Sequence, residues 1–420
     1  MRFSTLTDWL LWQEQLHAEE IELGLERVCQ VFQRLHSGRP DGKVISVAGT
    51  NGKGSSVAML EAILLAAGYR VGTYTSPHLL HYNERVRLQG KPVSDAFLCD
   101  AFERIDQARA EISLTYFEFG TLAALDIFYR QPLDVLILEV GMGGRLDAVN
   151  IVDADVALIT AIDIDHEKWL GTDRETIGFE KAGIMRPQRP VICSDPAIPQ
   201  SVIQHAQAIG ASLYCLGKAF SAEPEMNGWT FYDSGRVKRN ALPHPALRGT
   251  HQLQNAAGVL KVLQCLDVDL SVTSQALREG LLSVSLPGRF QVIPGDVPII
   301  LDVAHNPQSA MVLSQMLSEQ PCQGRTLAVV GMLADKPIEA TLRSLIPGID
   351  AWFLGSLNKV SRGAKAKVLQ TALTGVKAST TRYPDVTQAY RAARSQAICG
   401  DRIVVFGSFY TVAEVMLQTV

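Results

Sequence analysis

The stretch of this sequence best suited to chemistry is a lysine set among glycines, Gly49-Thr50-Asn51-Gly52-Lys53-Gly54-Ser55-Ser56. The apolar run Val44 to Ala48 leads into it. A helix-like segment comes next, apolar at Val57, Met59, Leu60, Ile63 and Leu64 and closing at Gly68 as the residue after the cap. Glycines let the backbone bend and approach a ligand, a helix start offers unpaired N–H groups and a positive dipole end, and Lys53 adds a cation. Together these make a polyphosphate cradle. The pattern G-x4-G-K-[ST] is not met, because Val47 stands six before Lys53 and Gly54 comes directly after it. The bland alternative is an ordinary Gly-rich turn with a solvated lysine; the order strand, loop, lysine, helix favours the nucleotide.

Acids and a histidine stand where a metal would meet the phosphates. Asp134 to Val140 reads as a buried strand with Glu139 near its carboxyl end, leading to Gly141-Met142-Gly143-Gly144-Arg145-Leu146-Asp147. Mg²⁺ takes few carboxylates plus phosphate oxygens, which suits a strand-end acid near a phosphate loop. The alternative is an acid bonded to a neighbouring loop. Val156 to Thr160 likewise leads into Ala161-Ile162-Asp163-Ile164-Asp165-His166, so His166 leaves the sheet on the same side, as a ligand or as a structural histidine.

These groups need a scaffold. Short apolar runs without polar alternation (Val44 to Ala48, Val71 to Thr75, Val135 to Val140, Val156 to Thr160), each leading into helix-like text, predict an α/β fold with a parallel sheet and a doubly wound first half. Between roughly 214 and 245 the sequence turns polar, with short alternating pieces such as Trp229 to Tyr232, and predicts an antiparallel flap. A second strand series comes after Leu286-Pro287-Gly288: Ile299 to Val303, Leu327 to Val330 and Ile403 to Phe406. The 420 residues therefore divide into two expected domains, 1–286 and 287–420. A net charge of −4 gives no basic field for nucleic acid or an anionic membrane. The N-terminal apolar patch, broken by Asp8, Gln13 and Glu14, is too short for a signal or a span, so a cytoplasmic location is expected. Seven cysteines without a CxxC pair read as reduced thiols.

Gly49 to Ser55, Thr75-Ser76-Pro77-His78-Leu79, Glu84-Arg85, Gly141 to Asn150 and Glu180-Lys181-Ala182-Gly183-Ile184 resemble, in order, the folylpolyglutamate synthase family of the Mur ligase superfamily. The likeness continues through His251 to Ala256, Leu286 to Phe290 and Asp302-Val303-Ala304-His305-Asn306-Pro307. Within that family the likeness is to its bifunctional bacterial members, which act as dihydrofolate synthase and folylpolyglutamate synthase in one chain. The resemblance implies a P-loop-type, mostly parallel ATPase domain and after it a smaller Rossmann-like α/β domain. It implies an ATP site at Thr50, Asn51, Gly52, Lys53, Gly54 and Ser55, with Asn255, Arg289 and Asp302 closing on the nucleotide from the linker and second domain. Ser76, Glu139 and His166 match the family's Mg²⁺ ligands, and Lys181 matches a lysine carbamylated to help place a second Mg²⁺. Leu23, Gly24 and Leu25, Thr115, Tyr116, Phe117 and Glu118, and Leu146 through Ala148 match a pterin pocket. Departures at Glu167-Lys168-Trp169 and Ser356-Leu357-Asn358-Lys359 bear on substrate contacts only.

The expected reaction is ATP-dependent ligation of L-glutamate to dihydropteroate and to reduced folates through an acyl phosphate. Lys53, Arg289 and Mg²⁺ would neutralise charge, and no nucleophile triad is needed. His305 would bind phosphate or orient Asp302, or else serve only as a helix-start residue beside the cap Asn306. A monomer is the default. Three rivals remain open in the sequence. One is a synthase acting on tetrahydrofolates alone. Another is a cell-wall amino-acid ligase, which would carry a whole nucleotide domain before its phosphate loop where 48 residues precede Gly49 here. The third is an ATP-dependent switch without chemistry.

Overall fold

Apolar runs alternating with amphipathic helices place their strands in one buried parallel sheet, and the computed structural model, which describes residues 2–419, has that architecture. Its strands are β1 (Lys43–Ala48), β2 (Val71–Tyr74), β3 (Val86–Leu88), β4 (Lys91–Pro92), β5 (Val135–Glu139), β6 (Val156–Ile159), β7 (Pro190–Cys193) and β8 (Ser212–Cys215). They lie in the order β4-β3-β2-β5-β1-β6-β7-β8. β2, β5, β1, β6, β7 and β8 are parallel, and β3 and β4 add an antiparallel edge. β1 and β5 are apolar and buried along nearly their whole length, as strands covered by helices on both faces must be.

The chain divides into two compact units. The first runs to Ala246 and resumes at Gln252–Ser285; the second comprises Leu247–His251 and the chain from Leu286 onward. In the first unit the polar segment forms a three-stranded antiparallel sheet of β9 (Phe220–Glu225), β10 (Gly228–Asp233) and β11 (Arg236–Leu242). It begins later than the sequence suggested. Tyr214 belongs instead to β8, because Ser212–Cys215 continues the parallel ladder beside Pro190–Cys193. Lys261, only 5% exposed, ties the flap down through an ion pair to Asp233 at 2.7 Å.

The helix Lys53–Ala66 comes directly after β1 and its loop. Its end is a Schellman closure: the Gly68 N–H donates to Leu65 O at 2.9 Å and the Tyr69 N–H to Leu64 O at 3.1 Å, with Gly68 at φ +86°. The helix Ser274–Ser283 crosses it so closely that a Cβ on Gly280 would lie 2.5 Å from Ile63 Cα.

The second unit carries β12 (Gln291–Ile293), β13 (Ile299–Leu301), β14 (Thr326–Val330), β15 (Ala351–Gly355), β16 (Ser379–Tyr383) and β17 (Arg402–Phe406) in the order β12-β13-β17-β14-β15-β16, parallel except for β12. β15 and β16 escaped the sequence reading. β16 is a half-exposed edge strand of mostly Ser, Thr and Arg, and carries no apolar run to read. Among the described residues no helix is long and apolar enough to cross a membrane.

Candidate active site

The carboxyl ends of β2, β5, β1 and β6 are successive neighbours, about 4.8 Å apart per strand, so the segments leaving these strands are all delivered to one edge. After β1 comes the glycine loop. Thr50 and Asn51 donate their N–H groups to Ala161 O at 2.7 and 3.3 Å, Thr50 Oγ1 donates to Asp163 O at 2.9 Å, and Thr160 Oγ1 donates to Asn51 O at 2.8 Å. The loop is thereby stitched to the exit of β6. Lys53 opens the helix and folds back, its Nζ donating to Gly49 O at 3.0 Å and Thr50 O at 3.3 Å. This ties the cation to the loop it serves.

Gly52 caps the helix at φ +90°, and a Cβ there would meet Asn255 Oδ1 at 2.6 Å. Asn255 therefore belongs to the first unit and rests on the phosphate loop itself, rather than reaching it from the linker or second domain. Its Nδ2 donates to Gln252 Oε1 at 3.0 Å, and Gln252 Nε2 donates to Ser55 Oγ at 3.3 Å. Gly52→Ala is expected to cost about 1–2 kcal/mol in backbone strain and to raise the KM for ATP more than that for glutamate. Thermal melts and initial rates check both effects.

Ser76 and Glu139 come together. The Ser76 N–H donates to Glu139 Oε2 at 3.3 Å across adjacent β2 and β5, and Glu139 is 5% exposed at the register partner of Val47. His166 leaves β6 at φ +55° and starts the short helix Glu167–Leu170. Among the described residues no three His, Cys, Asp or Glu side chains form a metal cluster. By type, the Ser76 hydroxyl, the Glu139 carboxylate and the His166 imidazole are donors that would suit a hard divalent cation keeping places for phosphate oxygens and water.

Behind this edge lies a charged group the sequence reading only partly reached. Lys181, at the end of the helix Arg174–Ala182, is 3% exposed, and burial, with the neighbouring Lys53 cation, pushes its ammonium down to about 7 against the pull of Asp165 and Asp147. Asp147, passed over between Leu146 and Ala148, is 2% exposed. Its carboxylate accepts from the Met142 N–H at 2.8 Å and the Val149 N–H at 3.0 Å, yet burial raises it to about 6, with Lys53 pulling the other way. The signal that could have found it was an acid at the end of a glycine loop leaving a central strand.

The three pterin-side segments meet. The Gly24 N–H donates to Leu146 O at 3.2 Å. Thr115 and Glu118 form a capping box on the helix Tyr116–Tyr129, and the buried Glu118 also holds Arg27 Nη2 at 3.0 Å, fixing the Leu23–Leu25 segment beside it. Phe117 packs on Gly141, where a Cβ would meet its ring at 2.5 Å, and Tyr74 lies 6.1 Å from the same ring. Tyr116, Phe117 and Leu25 border the core while Ala148 is buried in it. Leu23 packs on a neighbouring cluster containing Leu170 and Ile177.

Arg289, Asp302 and His305 lie in the second unit. The buried Asp302 accepts from the Phe290 and Ala304 N–H groups, each at 2.8 Å; burial raises its pKa, and Arg289 opposes this. The Arg289 guanidinium stacks 5.1 Å from the Phe409 ring. His305 Nδ1 donates to Val303 O at 2.9 Å, and Asn306 caps the helix Pro307–Glu319 by accepting from the Ser309 N–H at 2.9 Å. The cap is Asn306, and the carboxylate of Asp302 is oriented by backbone.

Two Mur ligase families match the chain: the Mur ligase middle domain over residues 47–263 and the Mur ligase glutamate ligase domain over residues 288–409. The dihydrofolate synthase/folylpolyglutamate synthase of Escherichia coli K12 is 46% identical over 98% of this chain and 95% of that protein. Escherichia coli FolC solved with DHPP and ADP superposes with a TM-score of 0.94 at 45% identity, covering 99% of this chain and 98% of that one. A bifunctional folylpolyglutamate synthase/dihydrofolate synthase solved with Mn, AMPPNP and L-glutamate gives 0.91 at 48% identity, with 99% and 98% covered. A phosphate loop whose lysine is flanked by a strand-end glutamate, and a chain that matches such enzymes almost from end to end, lead to one conclusion: it belongs to the dihydrofolate synthase/folylpolyglutamate synthase family of Mur ligases.

Proposed function

We propose that this chain ligates L-glutamate to 7,8-dihydropteroate, giving dihydrofolate, and to the γ-carboxyl of tetrahydrofolate (poly)glutamates. The observation carrying this reading is the meeting of Leu23–Leu25, Thr115–Glu118 and Leu146–Ala148, through Gly24 on Leu146 and Arg27 on Glu118, with the Asp147 carboxylate within electrostatic reach of Lys53. In this reading an aromatic-walled acceptor site borders a polyphosphate site.

In this reading Thr50 to Ser55 and Asn255 bind ATP, and Lys53 stabilises charge as the γ-phosphoryl group passes to the acceptor carboxylate. The C–O–P bond of an acyl phosphate forms and ADP leaves. The amine of glutamate then attacks the acyl carbon and loses a proton, inorganic phosphate departs, and the amide remains. Ser76, Glu139 and His166 would hold Mg²⁺, which supplies neutralisation of the phosphate charge. Arg289, Asp302 and His305 are proposed as the nucleotide-side groups of the second unit. The division of labour assigns residues 1–286 to ATP and acceptor and 287–420 to the glutamate-ligase domain, in a cytoplasmic monomer.

Lys181 is proposed to react as its neutral amine with CO2: the N–C bond forms, one N–H proton leaves to solvent, and the carbamate that remains would help hold a second Mg²⁺. Burial supplies the neutral amine at physiological pH. Carbon-13 bicarbonate should give a carbamate resonance absent from Lys181→Met.

The deciding experiment is phosphate release from Mg·ATP with L-glutamate, offering dihydropteroate and a reduced folate monoglutamate separately and weighing the products. Gain of one glutamate with both acceptors is expected. Gain with the folate alone would leave only the polyglutamate activity, and no gain with either would end the reading.

A further inference from the structure

Arg85 is 9% exposed, and among the described residues no Asp or Glu forms an ion pair with it. Its Nε donates to His78 Nδ1 at 2.9 Å, and its guanidinium carbon lies 5.3 Å from the Tyr82 ring centroid and 5.7 Å from that of Tyr116. The Tyr74 hydroxyl is a further hydrogen-bonding neighbour, itself neutral because burial raises its pKa. The adjacent Glu84 is committed elsewhere: it accepts from the N–H groups of Leu79 at 2.7 Å, Leu80 at 2.9 Å and His81 at 2.8 Å. Several other buried cations are provided for. Arg109, equally buried, pairs with Asp106 at 2.7 Å, Lys261 pairs with Asp233, and Arg402 donates to the oxygens of Thr326 and Gln320. A buried guanidinium partnered by an imidazole nitrogen, a phenol and two ring faces is short of negative charge, a costly arrangement unless something supplies it.

The position tells what could. The Arg85 carbonyl accepts from the Thr75 N–H at 2.9 Å, one residue before Ser76, whose own N–H meets Glu139. Tyr116 is part of the Thr115–Glu118 wall. Arg85 therefore stands between the strand-end carboxylate that borders the phosphate loop and the aromatic wall of the acceptor site.

We propose that Arg85 binds the carboxylate of the acceptor, taking it by the planar fork of its terminal N–H groups and holding it for phosphorylation. The inference rests on the ligase reading above and adds the residue that recognises the acceptor's charge. A guanidinium suits this task because its fork matches a carboxylate in two parallel bonds, whereas an ammonium offers a point charge. His78 accepts from Nε through Nδ1 and so fixes the plane of the fork from behind.

The test compares wild type, R85M and R85K with three probes: dihydropteroate, a reduced folate monoglutamate, and the dihydropterin bearing aniline in place of aminobenzoate, which lacks the carboxylate. For R85M the dihydropteroate KM should rise roughly 10- to 100-fold, the range for losing a hydrogen-bonded charged partner, with the KM values for ATP and glutamate within about threefold. The inhibition constant of the carboxylate-free analogue should stay within about threefold, a readout that mere reshaping of the pocket would not spare. R85K, which keeps the charge and loses the fork, should fall between, and serves alone if R85M does not fold. A rise with both acceptors assigns Arg85 to whichever carboxylate each presents for phosphorylation, and a rise with dihydropteroate alone assigns it to the aminobenzoate carboxylate. An unchanged dihydropteroate KM, equal loss of analogue affinity, or a rise confined to glutamate would overturn the proposal. Wild-type enzyme inert toward both acceptors would instead bring down the ligase reading.

Discussion

Lys53→Met is expected to lower the rate of ATP-dependent ligation by about 10²- to 10³-fold, the usual effect of removing one preorganised group from developing transition-state charge. Its Nζ is anchored by Gly49 O and Thr50 O, so the cation is positioned before any phosphate arrives. Binding then needs little rearrangement, and the loss should fall on kcat as well as on the KM for ATP. Folding should survive, since methionine fills the same space and the loop keeps its bonds to Ala161 and Asp163. Phosphate release and a circular dichroism melt measure the two properties; a variant within about threefold of wild type would remove Lys53 from the chemistry.

The second large effect is expected at Lys181. Lys181→Met should abolish measurable ligation, yet leave the melting temperature near neutral pH unchanged or higher, because it deletes a buried amine that on folding must either carry a desolvated charge or give up its proton. The pH dependence has a definite sign. As the unmodified amine, Lys181 titrates near 7 when folded against an ordinary value of 10.5, so over that window the unfolded chain binds the extra proton. Wild-type stability should therefore gain a component that rises from about pH 7 toward 10.5, and Lys181→Met should lack it. Parallel melts across that range decide the point: coincident slopes would mean that Lys181 is not a depressed amine, and retained activity would mean that no carbamate is needed.

Much of the scaffold was legible in the residues. β1, β5 and β6 are short Val/Ile/Leu-rich runs without polar alternation, and a strand buried on both faces writes itself in that form. The phosphate loop was readable because its glycines and lysine are local in sequence. Harder to read was anything that depends on distant partners. Arg85 and His78 look like surface text until Tyr82 and Tyr116 are folded around them. Asp147 stands in view at the end of a glycine loop, but its burial and its nearby lysine come only with the fold. Asn255 was read as reaching the nucleotide from the linker, because the sequence does not show that the chain leaves the first unit at Leu247 and returns at Gln252.

The backbone-to-backbone crossing of Gly280 on Ile63 bears on how variants of this chain should be sorted. The helix it touches is the one that presents Lys53, and an added Cβ would meet the Ile63 backbone at 2.5 Å and its Cγ1 at 2.6 Å, so little room is left to absorb a displacement. A substitution as small as Gly280→Ser would act on that helix as a wedge and tilt the far end that carries the loop. Such a lesion would mimic an active-site defect in an assay while lying outside every catalytic segment, so distance along the sequence is a poor guide to which mutations silence the enzyme.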